Sequence, residues 1–410
     1  MTDAVSVLIV DDSALMRNIV SRMIESTPGL AVAERAMNGN FALQKIPRCD
    51  PDVIVLDLEM PEMNGIEFLR ERKRLGIEIP VVILSSIARR GAEITMEALS
   101  LGANDFMMKP TGAASEDVKA VRAQLTDMLF AYGAQYRAKR GRPVPRNIMD
   151  EFSKAKESET DRKTGTSVPT PATTRVPVAE NRSETPAEEQ IPGKSGLPGR
   201  PMAKPAEAPP PRSPKRTGPI EIIAIGISTG GPNALREVFA RLDPDLRQPI
   251  LVVQHMPAGF TAEFAKSLDR ICPLEVKEAQ EGDVLKPGRV LIAPGDHHLS
   301  IEKRPLATVA RLSEDPPMNG HRPSADVLFA SVAKEFGNRA MGVIMTGMGR
   351  DGAKELGTIL REGGITIGQD EATSVVYGMP KVAWELGHVM EQIPLERMAE
   401  RICRLAKDQR

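Results

Sequence analysis

The sequence has few cysteines, almost no net charge and no long hydrophobic run. Its three cysteines, Cys49, Cys272 and Cys403, lie far apart and fit neither C-x-x-C nor metal-ligand spacing, so we expect buried thiols in a reducing compartment. The 54 lysines and arginines balance 55 aspartates and glutamates, which argues against a nucleic-acid partner because phosphate-backbone binding needs a basic surface. No apolar stretch reaches membrane-spanning length, and the N-terminus lacks the basic and small residues of a signal peptide. We therefore expect a cytoplasmic protein that does not insert directly into a membrane.

Two α/β patterns, separated by a polar segment, account for most of the 410 residues. A chain of this length predicts two or three domains, and 41% apolar residues are enough to build a core in each. In the first third, apolar strands alternate with amphipathic helices, which predicts a doubly wound sheet of five parallel strands. The predicted strands are Val5–Val10, Leu30–Glu34, Val53–Leu56, Val81–Leu84 and Asp105–Met107.

Polar residues follow four of these strands at their carboxyl ends, where ligands bind in such sheets. Asp11 and Asp12 follow the first strand and Asp57 the third, whereas Ser85 and Lys109 follow the fourth and fifth. Three carboxylates in one place repel one another unless a hard cation lies between them, and oxygen ligands suit Mg²⁺. A lysine and a hydroxyl beside them suit the oxygens of a transferred phosphoryl group. Singly, an aspartate here is typical of a helix cap and a lysine of a loop; the coincidence of four strand ends favours a functional site.

These residues and their flanking motifs resemble the receiver domain of bacterial response regulators. The motifs are Asp11-Asp12, Asp57-Leu58-Glu59-Met60-Pro61-Glu62-Met63-Asn64-Gly65, Ser85 and Lys109-Pro110. The resemblance covers residues 1–130 and implies a flavodoxin-like (βα)5 fold. It also implies that Asp57 accepts phosphate from a histidine kinase, that Asp11 and Asp12 bind Mg²⁺ with it, and that Ser85 and Lys109 contact the phosphoryl group.

Between residues 141 and 219 the periodicity disappears, and this segment holds 15 of the chain's 34 prolines. With Phe152 as its single aromatic residue, it cannot bury enough apolar surface to fold alone. We predict a disordered, flexible Pro-rich linker over residues 131–219, with Tyr132–Lys139 continuing the last receiver helix. The run Pro209–Pro211 is typical of a spacer or of a partner-docking segment.

A second α/β pattern begins at Ile220 and predicts another doubly wound, largely parallel sheet over residues 220–410, with helices on both faces. The predicted strands are Ile222–Ile227, Ile250–Val253, Arg289–Ile292, Met341–Met345 and Ile365–Ile367. Helices are predicted after Gly231, Phe260, Pro323, Asp351 and Pro394.

The first strand of this second pattern ends in a small polar residue flanked by glycines. Gly226, Ser228 and Gly230 fit the G-x-S-x-G spacing that holds a serine on a sharp strand-to-helix turn, with backbone N–H groups beside its hydroxyl. Ser228 is therefore a candidate nucleophile. The same turn is also typical of close strand–helix packing or of a phosphate cradle, although no G-K-[ST] motif follows it.

A base and an acid follow two further strand ends. His255 comes after the second strand, and Asp351 lies in the segment after the fourth. A serine hydroxyl needs an adjacent base to lose its proton, and a carboxylate orients the imidazole and stabilises the imidazolium. The chain order Ser, His, Asp differs from that of α/β-hydrolases. The pattern therefore predicts a convergent triad, with Asp326 as the alternative third member.

The second half resembles the methylesterase domain of the CheB family of chemotaxis protein-glutamate methylesterases. The motifs are Gly226-Ile227-Ser228-Thr229-Gly230-Gly231-Pro232, Gln254-His255-Met256-Pro257, Ile292-Ala293-Pro294-Gly295, Asn319-Gly320-His321-Arg322-Pro323-Ser324-Ala325-Asp326 and Met345-Thr346-Gly347-Met348-Gly349-Arg350-Asp351-Gly352-Ala353. The resemblance implies that Ser228 is the nucleophile, His255 the general base and then acid, and Asp351 the orienting carboxylate.

The same family resemblance also implies a reaction and its partners. Backbone N–H groups near Thr229 and Met348 are expected to form the oxyanion hole, and Arg322 to contact acidic receptor surface in the substrate groove. The reaction implied is hydrolysis of glutamate γ-methyl esters on the cytoplasmic helices of chemoreceptors, with methanol released, and deamidation of receptor glutamines, both through an acyl-serine. No cofactor is implied for the ester chemistry, and the phosphodonor is a chemotaxis histidine kinase. Phosphorylation of Asp57 would relieve occlusion of Ser228 by the receiver or reorient the domains.

Other functions and sites remain as alternatives. A receiver-controlled esterase or a non-catalytic binding scaffold in another sensory pathway would have the same architecture, whereas a DNA-binding output is disfavoured because no basic helix-turn-helix pattern is present. His297, His298 and His321 could suggest a metal site, but adjacent histidines point to opposite sides of an extended chain, so we expect surface or groove roles. Ser324 is expected to cap the following helix.

Overall fold

The computed structural model describes residues 4–85, 89–109, 115–145 and 219–408. Most of the predicted linker, including Pro209–Pro211, and Pro110 of the receiver motif lie outside these ranges. The receiver and catalytic domains pack together as one unit. Over the described ranges, no helix is both long and apolar enough to cross a membrane.

The first domain is a parallel five-stranded sheet with helices between its strands, as the sequence predicts. Its elements are β1 (Val5–Val10), α1 (Ala14–Glu25), β2 (Leu30–Ala36), α2 (Gly39–Cys49), β3 (Val53–Asp57), α3 (Gly65–Arg74), β4 (Val81–Ser85), α4 (Arg89–Ser100), β5 (Asp105–Met108) and α5 (Ser115–Lys139). The strand order is β2-β1-β3-β4-β5, with parallel pairing throughout. The residues that end β1, β3, β4 and β5 therefore meet at one edge.

Local sequence explains why the receiver elements begin and end where they do. Strands β3 and β4 are buried along their whole length, as expected for continuous apolar runs in a parallel sheet covered on both faces. Helix α3 begins with a capping box: the Asn64 side chain accepts from the Glu67 N–H, and the Glu67 carboxylate accepts from the Asn64 N–H. The segment Tyr132–Lys139 continues α5, as predicted.

The second domain is built on a seven-stranded parallel sheet of order β14-β13-β12-β6-β7-β9-β8. Its strands are β6 (Ile222–Ile227), β7 (Ile250–Gln254), β8 (Glu275–Glu278), β9 (Arg289–Ile292), β12 (Ala340–Ile344), β13 (Ile365–Gln369) and β14 (Glu391–Ile393), and β10 (His298–Lys303) with β11 (Thr308–Ser313) forms a separate antiparallel hairpin. Its helices are α6 (Gly231–Phe239), α7 (Phe260–Asp269), α8 (Ala325–Phe336), α9 (Ala353–Arg361), α10 (Met379–Glu385) and α11 (Leu395–Asp408), with a 3₁₀ turn at Gly337–Arg339.

All five predicted strands and all five predicted helices of this domain are present, but the sequence patterns miss five further elements. These are β8, the β10–β11 hairpin, β14 and α10. The missed strands are short or mix polar with apolar residues, so they lack the continuous apolar runs of the central strands.

Helices cover both faces of the catalytic sheet, because successive strand residues point to opposite sides. Ile223 and Ile225 pack with the apolar residues of α6, α7 and α11, whereas Ile222 and Ala224 pack with those of α8, α9 and α10. The first of these clusters continues without a break into the receiver core. The two domains therefore meet through buried apolar surface.

Candidate active site

The candidate nucleophile lies on the turn between β6 and α6. Ser228 directly follows β6, and Gly230 adopts φ +80° as the N-cap of α6. A left-handed backbone of this kind favours glycine. The turn is closed by the Gly231 N–H, which donates to the Ser228 carbonyl at 2.7 Å. The chain thus passes from a buried strand into a helix within a few residues, with the serine at the bend.

The sheet order brings the three residues of the predicted triad together. Strand β6 lies between β7 and β12, and Ser228, His255 and Asp351 lie in the segments that follow these three strands. His255 Nδ1 is 3.1 Å from Ser228 Oγ, and His255 Nε2 is 2.8 Å from Asp351 Oδ2. A carboxylate can only accept, so Nε2 carries the proton in the neutral ring and Nδ1 is left to accept from the serine hydroxyl.

Asp351 is held as an anion by several donors. Its Oδ1 accepts from the Ser324 hydroxyl at 2.6 Å and the Asn319 amide at 2.9 Å, and its Oδ2 accepts from the Ala325 N–H at 2.6 Å. Burial raises the pKa of this carboxyl, but the bonds from His255, Ser324 and Asn319 and the His255 charge lower the pKa by more, so that it lies well below its ordinary value. The carboxylate also lies at the N-terminus of α8, where the helix dipole favours a negative charge.

Asp326 does not take the third position. Its Oδ2 accepts from the Asn319 amide at 2.7 Å and its Oδ1 from the Glu355 N–H at 2.9 Å, at the start of α9. It joins α8 to α9 instead of orienting His255. Ser324 is the N-cap residue of α8, as expected, but its hydroxyl donates to Asp351 instead of accepting from the first N–H groups of the helix.

The two backbone groups expected in the oxyanion hole flank the serine. Thr229 follows Ser228 directly in the chain. Met348 follows Gly347, whose backbone lies so close to the serine that a Cβ added to Gly347 would be 2.8 Å from the Ser228 Cβ. Within the described part of the chain, neither the Thr229 N–H nor the Met348 N–H is engaged in a hydrogen bond. Both N–H groups are therefore available to an incoming oxygen.

Arg322, predicted to lie in the substrate groove, is engaged in local contacts. Its guanidinium donates to Asp296 Oδ1 at 3.0 Å through Nε, and to the Glu314 carbonyl at 2.8 Å. It fastens the loop after β9 to the segment after β11. It does not line the cleft around Ser228, and its contact with receptor surface stays a prediction.

Receiver residues cover the serine. Ser228 and His255 line a cleft of about 90 Å³ whose opposite wall is formed by β5 and by Met128 of α5. Only 8% of the His255 side chain is exposed. A cleft of this volume holds a few water molecules, so a protein substrate cannot reach the serine in this arrangement.

Specific contacts fasten the receiver over the nucleophile turn. The Gly230 N–H donates to Asp105 Oδ2 at 2.8 Å, and the Asn233 amide donates at 3.0 Å to two carbonyls that precede β5. Phe106 stacks on Phe260 with ring centroids 5.0 Å apart. Sequence patterns identify Asp105 only as part of a strand, because its partner lies 125 residues away in the chain.

Asp105 is a carboxyl group buried between the domains. Burial raises its pKa from an ordinary 3.8 to about 6, although hydrogen bonds from the Gly230 and Phe106 N–H groups and from the Tyr132 hydroxyl lower it. The group accepts bonds but has no cation among its contacts in the described ranges. Closing the interface therefore disfavours the ionised form of Asp105.

The receiver brings its predicted site residues to the other end of β5. Lys109 Nζ lies 2.7 Å from Asp57 Oδ2 and 2.9 Å from Asp11 Oδ2. Burial raises the pKa of Asp57, Lys109 lowers it and the Asp11 charge raises it, with a net increase. The pKa of Lys109 is raised, because the two carboxylates outweigh its burial. Ser85 ends β4 nearby, and its hydroxyl is 2.8 Å from Thr95 Oγ1.

The acidic residues of this site fit a divalent cation. Carboxylate oxygens of Asp11, Asp12 and Asp57 all lie within 4.8 Å of one another. An all-oxygen set with one exposed member, Asp12, is the donor set that Mg²⁺ prefers when it keeps some of its water. Among the described residues, the ion pairs of the buried carboxylates Asp11 and Asp57 are both made with Lys109, so one positive charge is shared by two negative charges and a further cation would be favoured.

The fold and these side chains define a response regulator whose receiver is followed by an α/β output domain with a Ser-His-Asp arrangement. Family comparison gives the same division, since a response regulator receiver domain matches residues 7–122 and the CheB methylesterase family matches residues 223–402. The protein-glutamate methylesterase/protein-glutamine glutaminase of Treponema denticola is 54% identical over 98% of this chain and 99% of its own length.

Further relatives have similar coverage. The protein of the same name from Treponema pallidum is 51% identical over 99% of this chain and 98% of its own. Among solved structures, the Thermotoga maritima CheB methylesterase catalytic domain is 39% identical and covers 45% of this chain and 98% of its own, with a TM-score of 0.45. From the two full-length matches, the chain belongs to the CheB family, and it is a methylesterase with a response-regulator receiver domain. This confirms the family indicated by the sequence motifs.

Proposed function

We propose that this chain hydrolyses glutamate γ-methyl esters on the cytoplasmic helices of chemoreceptors, deamidates receptor glutamines, and is activated by phosphorylation of Asp57. The observation that carries the catalytic part is the continuous hydrogen-bonded path from Asp351 through His255 to Ser228. We assign residues 1–130 to the receiver, 131–219 to the linker and 220–410 to the catalytic domain, with the last receiver helix reaching Lys139. We also propose a cytoplasmic location, because the proposed substrate lies on the cytoplasmic helices of receptors.

In the first half of the reaction, Ser228 Oγ attacks the ester carbonyl carbon while His255 Nδ1 takes the hydroxyl proton. The imidazolium that forms donates through Nε2 to Asp351, whose low pKa keeps it ionised as a counter-charge. The carbonyl oxygen becomes an oxyanion, which the N–H groups of Thr229 and Met348 would bind in this proposal.

The intermediate collapses when His255 returns its proton to the leaving methoxy oxygen, which releases methanol and leaves an acyl-serine. Water then attacks the acyl carbon, with Nδ1 as base again, and the free glutamate leaves as Ser228 recovers its proton. A glutamine side chain follows the same steps with ammonia as the leaving group. All proton transfers use one ring nitrogen, and no cofactor enters them.

Receiver control follows from the positions of the two ends of β5. At its start, Asp105 accepts from the nucleophile turn, and directly after its end Lys109 contacts Asp57. A receptor helix is about 10 Å wide with its side chains, far more than the covered cleft admits. We infer that phosphorylation opens this interface, because a phosphoryl group on Asp57 would rearrange Lys109 and therefore the strand that holds the receiver in place.

Asp57 is the phosphoryl acceptor in this proposal, and a chemotaxis histidine kinase is the donor. Mg²⁺, when bound, would neutralise the phosphoryl oxygens, and Asp11, Asp12 and Asp57 are the residues that would hold it. Lys109 would exchange one carboxylate partner for a phosphoryl oxygen. Ser85, at the end of the adjacent strand, would donate to another.

The test is methanol release from methylated receptor membranes by the wild type, Ser228→Ala and Asp57→Asn, each with and without a small acyl phosphate and Mg²⁺. We expect Ser228→Ala to lose at least about 10³-fold in rate, because it removes the attacking atom. We expect the acyl phosphate to stimulate the wild type and to leave the rate of Asp57→Asn unchanged.

Two outcomes would contradict the proposal. Methanol release by Ser228→Ala at the wild-type rate would remove Ser228 as the nucleophile. Equal stimulation of wild type and Asp57→Asn would remove Asp57 as the control point while leaving the esterase assignment intact. Ammonia release from receptors with unmodified glutamines tests the deamidase activity separately.

A further inference from the structure

A tight turn at residues 318–321 contacts two members of the triad. Its ends bond reciprocally, with the His321 N–H donating to the Met318 carbonyl at 2.9 Å and the Met318 N–H to the His321 carbonyl at 3.1 Å. Its central residues, Asn319 and Gly320, have φ of +54° and +81°. Asn-Gly is the pair that favours two successive left-handed residues in a two-residue turn. The local sequence therefore specifies this turn.

Both side chains of the turn that face the triad are engaged with it. The His321 ring stacks on the His255 ring, with centroids 3.9 Å apart and planes 12° from parallel. The Asn319 amide bridges Asp351 Oδ1 at 2.9 Å and Asp326 Oδ2 at 2.7 Å. One turn thus touches the face of the base and the outer oxygen of the acid.

Over the described residues, His321 does not belong to a cluster of metal-ligating side chains. His298 is occupied on both nitrogens, by the Pro316 carbonyl and the Ser324 N–H, and His297 lies 3.4 Å from Glu314. In the described ranges, the residues grouped closely enough to hold a metal are the three receiver aspartates. The main contact of His321 with the site is therefore its stacking on the His255 ring.

We propose that the Met318–His321 turn is a positioning element for catalysis, in which the His321 ring fixes the plane of the His255 ring and the Asn319 amide fixes the Asp351 carboxylate. This proposal rests on the proposed roles of Ser228 and His255. His321 acts through His255 and transfers no proton itself.

The need for such an element follows from the chemistry of the serine. The two hydrogen bonds of His255 lie in its ring plane and oppose rotation out of that plane only weakly. In the acyl-serine, Ser228 Oγ is bonded to the acyl carbon and no longer donates to Nδ1, so the bond to Asp351 alone holds the ring. A flat group against the ring face opposes the rotation at that stage, when Nδ1 must accept a proton from water.

The charge of His321 suits this role. Burial lowers the pKa of His321 to about 4, and the His255 charge lowers it as well, whereas Asp351 raises it. His321 is therefore neutral at neutral pH and does not repel the imidazolium that forms on His255. A protonated neighbour in the same position would oppose that step.

The experiment compares His321→Ala, His321→Phe and the control Leu306→Ala, at a fully exposed residue between β10 and β11, in the full chain with acyl phosphate and Mg²⁺ present. We expect His321→Ala to lower kcat by about 10- to 100-fold, because small misplacements of reacting groups have effects of this order, with KM within about twofold. His321→Phe keeps a flat ring and is expected to restore kcat to within about threefold. Leu306→Ala is expected to match the wild type.

A readout independent of turnover is the low-field proton resonance of His255 Nε2–H, which donates to Asp351. We expect this resonance in the wild type and His321→Phe, and its broadening in His321→Ala. Asn319→Gly, which tolerates the positive φ and removes only the amide, should lower kcat by a smaller factor than His321→Ala.

Three results would overturn the proposal. Equal losses in the alanine and phenylalanine variants would assign His321 a proton-transfer or ligand role. A wild-type kcat in both His321→Ala and His321→Phe would show that the ring contact does not contribute to catalysis. An unchanged resonance in His321→Ala would show that the His255 ring stays fixed without that contact. Activity in Ser228→Ala would instead defeat the proposed function, so the two failures are distinguishable.

Discussion

Asp57 of the receiver and Asp351 of the catalytic domain lie at the same kind of place and have opposite pKa shifts. Each follows or ends a parallel strand at the carboxyl edge of its sheet, and each is almost fully buried, with 4% and 1% of its surface exposed. The pKa of Asp57 is raised and that of Asp351 is lowered. Burial alone therefore does not decide whether such a carboxyl stays ionised.

The difference lies in the donors around each group. Asp57 accepts from the Glu59 N–H at 3.3 Å and shares the cation Lys109 with Asp11. Asp351 receives short bonds from the His255 ring, the Ser324 hydroxyl and the Ala325 N–H, and it shares the Asn319 amide with Asp326. In Asp57, desolvation and the neighbouring charge prevail, whereas in Asp351 the donors prevail.

These environments match the two proposed roles. A phosphoryl acceptor among carboxylates has unsatisfied negative charge, which a divalent cation can neutralise. An orienting carboxylate must stay ionised while its histidine gains and loses a proton, so it is surrounded by fixed donors. The same edge of the same kind of sheet thus carries an incomplete site in one domain and a complete one in the other.

The largest effect is expected when the carboxylate with the full set of donors, Asp351, is made neutral. In Asp351→Asn, the amide can donate to the imidazole and favour the wrong tautomer of His255, so we expect methanol release to fall by about 10⁴-fold. The matched control is Asp326→Asn, a buried carboxyl two residues into α8 that does not contact His255. We expect that control to lose far less activity.

Rates that fall equally in the two variants would contradict the assignment of Asp351 as the orienting residue. Equal losses would indicate that activity depends on the hydrogen bonds between Asn319 and the two aspartates, and not on the bond from Asp351 to His255 Nε2. Both proteins should be checked for folding by circular dichroism before their rates are compared.

Asp105 sharpens the comparison because it is a third buried carboxyl, placed between the two sites. Its pKa is raised from an ordinary 3.8 to about 6, so its favourable contribution to stability is fully present below pH 3.8 and is lost as the pH rises through 6. The loss amounts to at most about 3 kcal/mol. Relative to Asp105→Asn, the wild type should therefore become less stable between pH 4 and pH 7.5.

The measurement is the free energy of denaturant unfolding across that pH range, with the exposed Asp245→Asn as the control. The unfolding free energy of the wild type minus that of Asp105→Asn should fall as the pH rises, and it should fall by more than the corresponding difference for Asp245→Asn. A pH-independent difference for Asp105→Asn would show that its carboxyl is as well satisfied as that of Asp351.

Much of the fold and of the triad could be predicted because parallel strands leave a strong local signal. Buried strands such as β6 and β7 are continuous apolar runs, and the residues after their ends must meet at one edge, which locates Ser228 and His255. The hairpin of β10 and β11 lacked this signal because polar residues alternate irregularly along it.

The supporting contacts could not be predicted because they join distant parts of the chain. The Asn319 amide and its acceptor Asp351 are 32 residues apart, and Gly230 and its acceptor Asp105 are 125 residues apart. The Asn319-Gly320 pair indicates a turn but not what the turn touches. Likewise, the shared motifs placed Asp326 and Asp351 near the site, and only the geometry of the donors separates them.

The smallest effect is on stability, where the two aspartates should respond with opposite signs. At pH 7 without Mg²⁺, Asp57→Asn should raise the unfolding midpoint, because a carboxyl whose pKa is raised on folding loses stability as the pH rises above its ordinary pKa of 3.8. Asp351→Asn should lower stability by roughly 1–3 kcal/mol, since its donors lose a charged acceptor. Calorimetry with and without Mg²⁺ tests both: the cation should stabilise the wild type and Asp351→Asn but stabilise Asp57→Asn less. Two variants that shift in the same direction would mean that burial, and not the number of donors, governs both carboxyls.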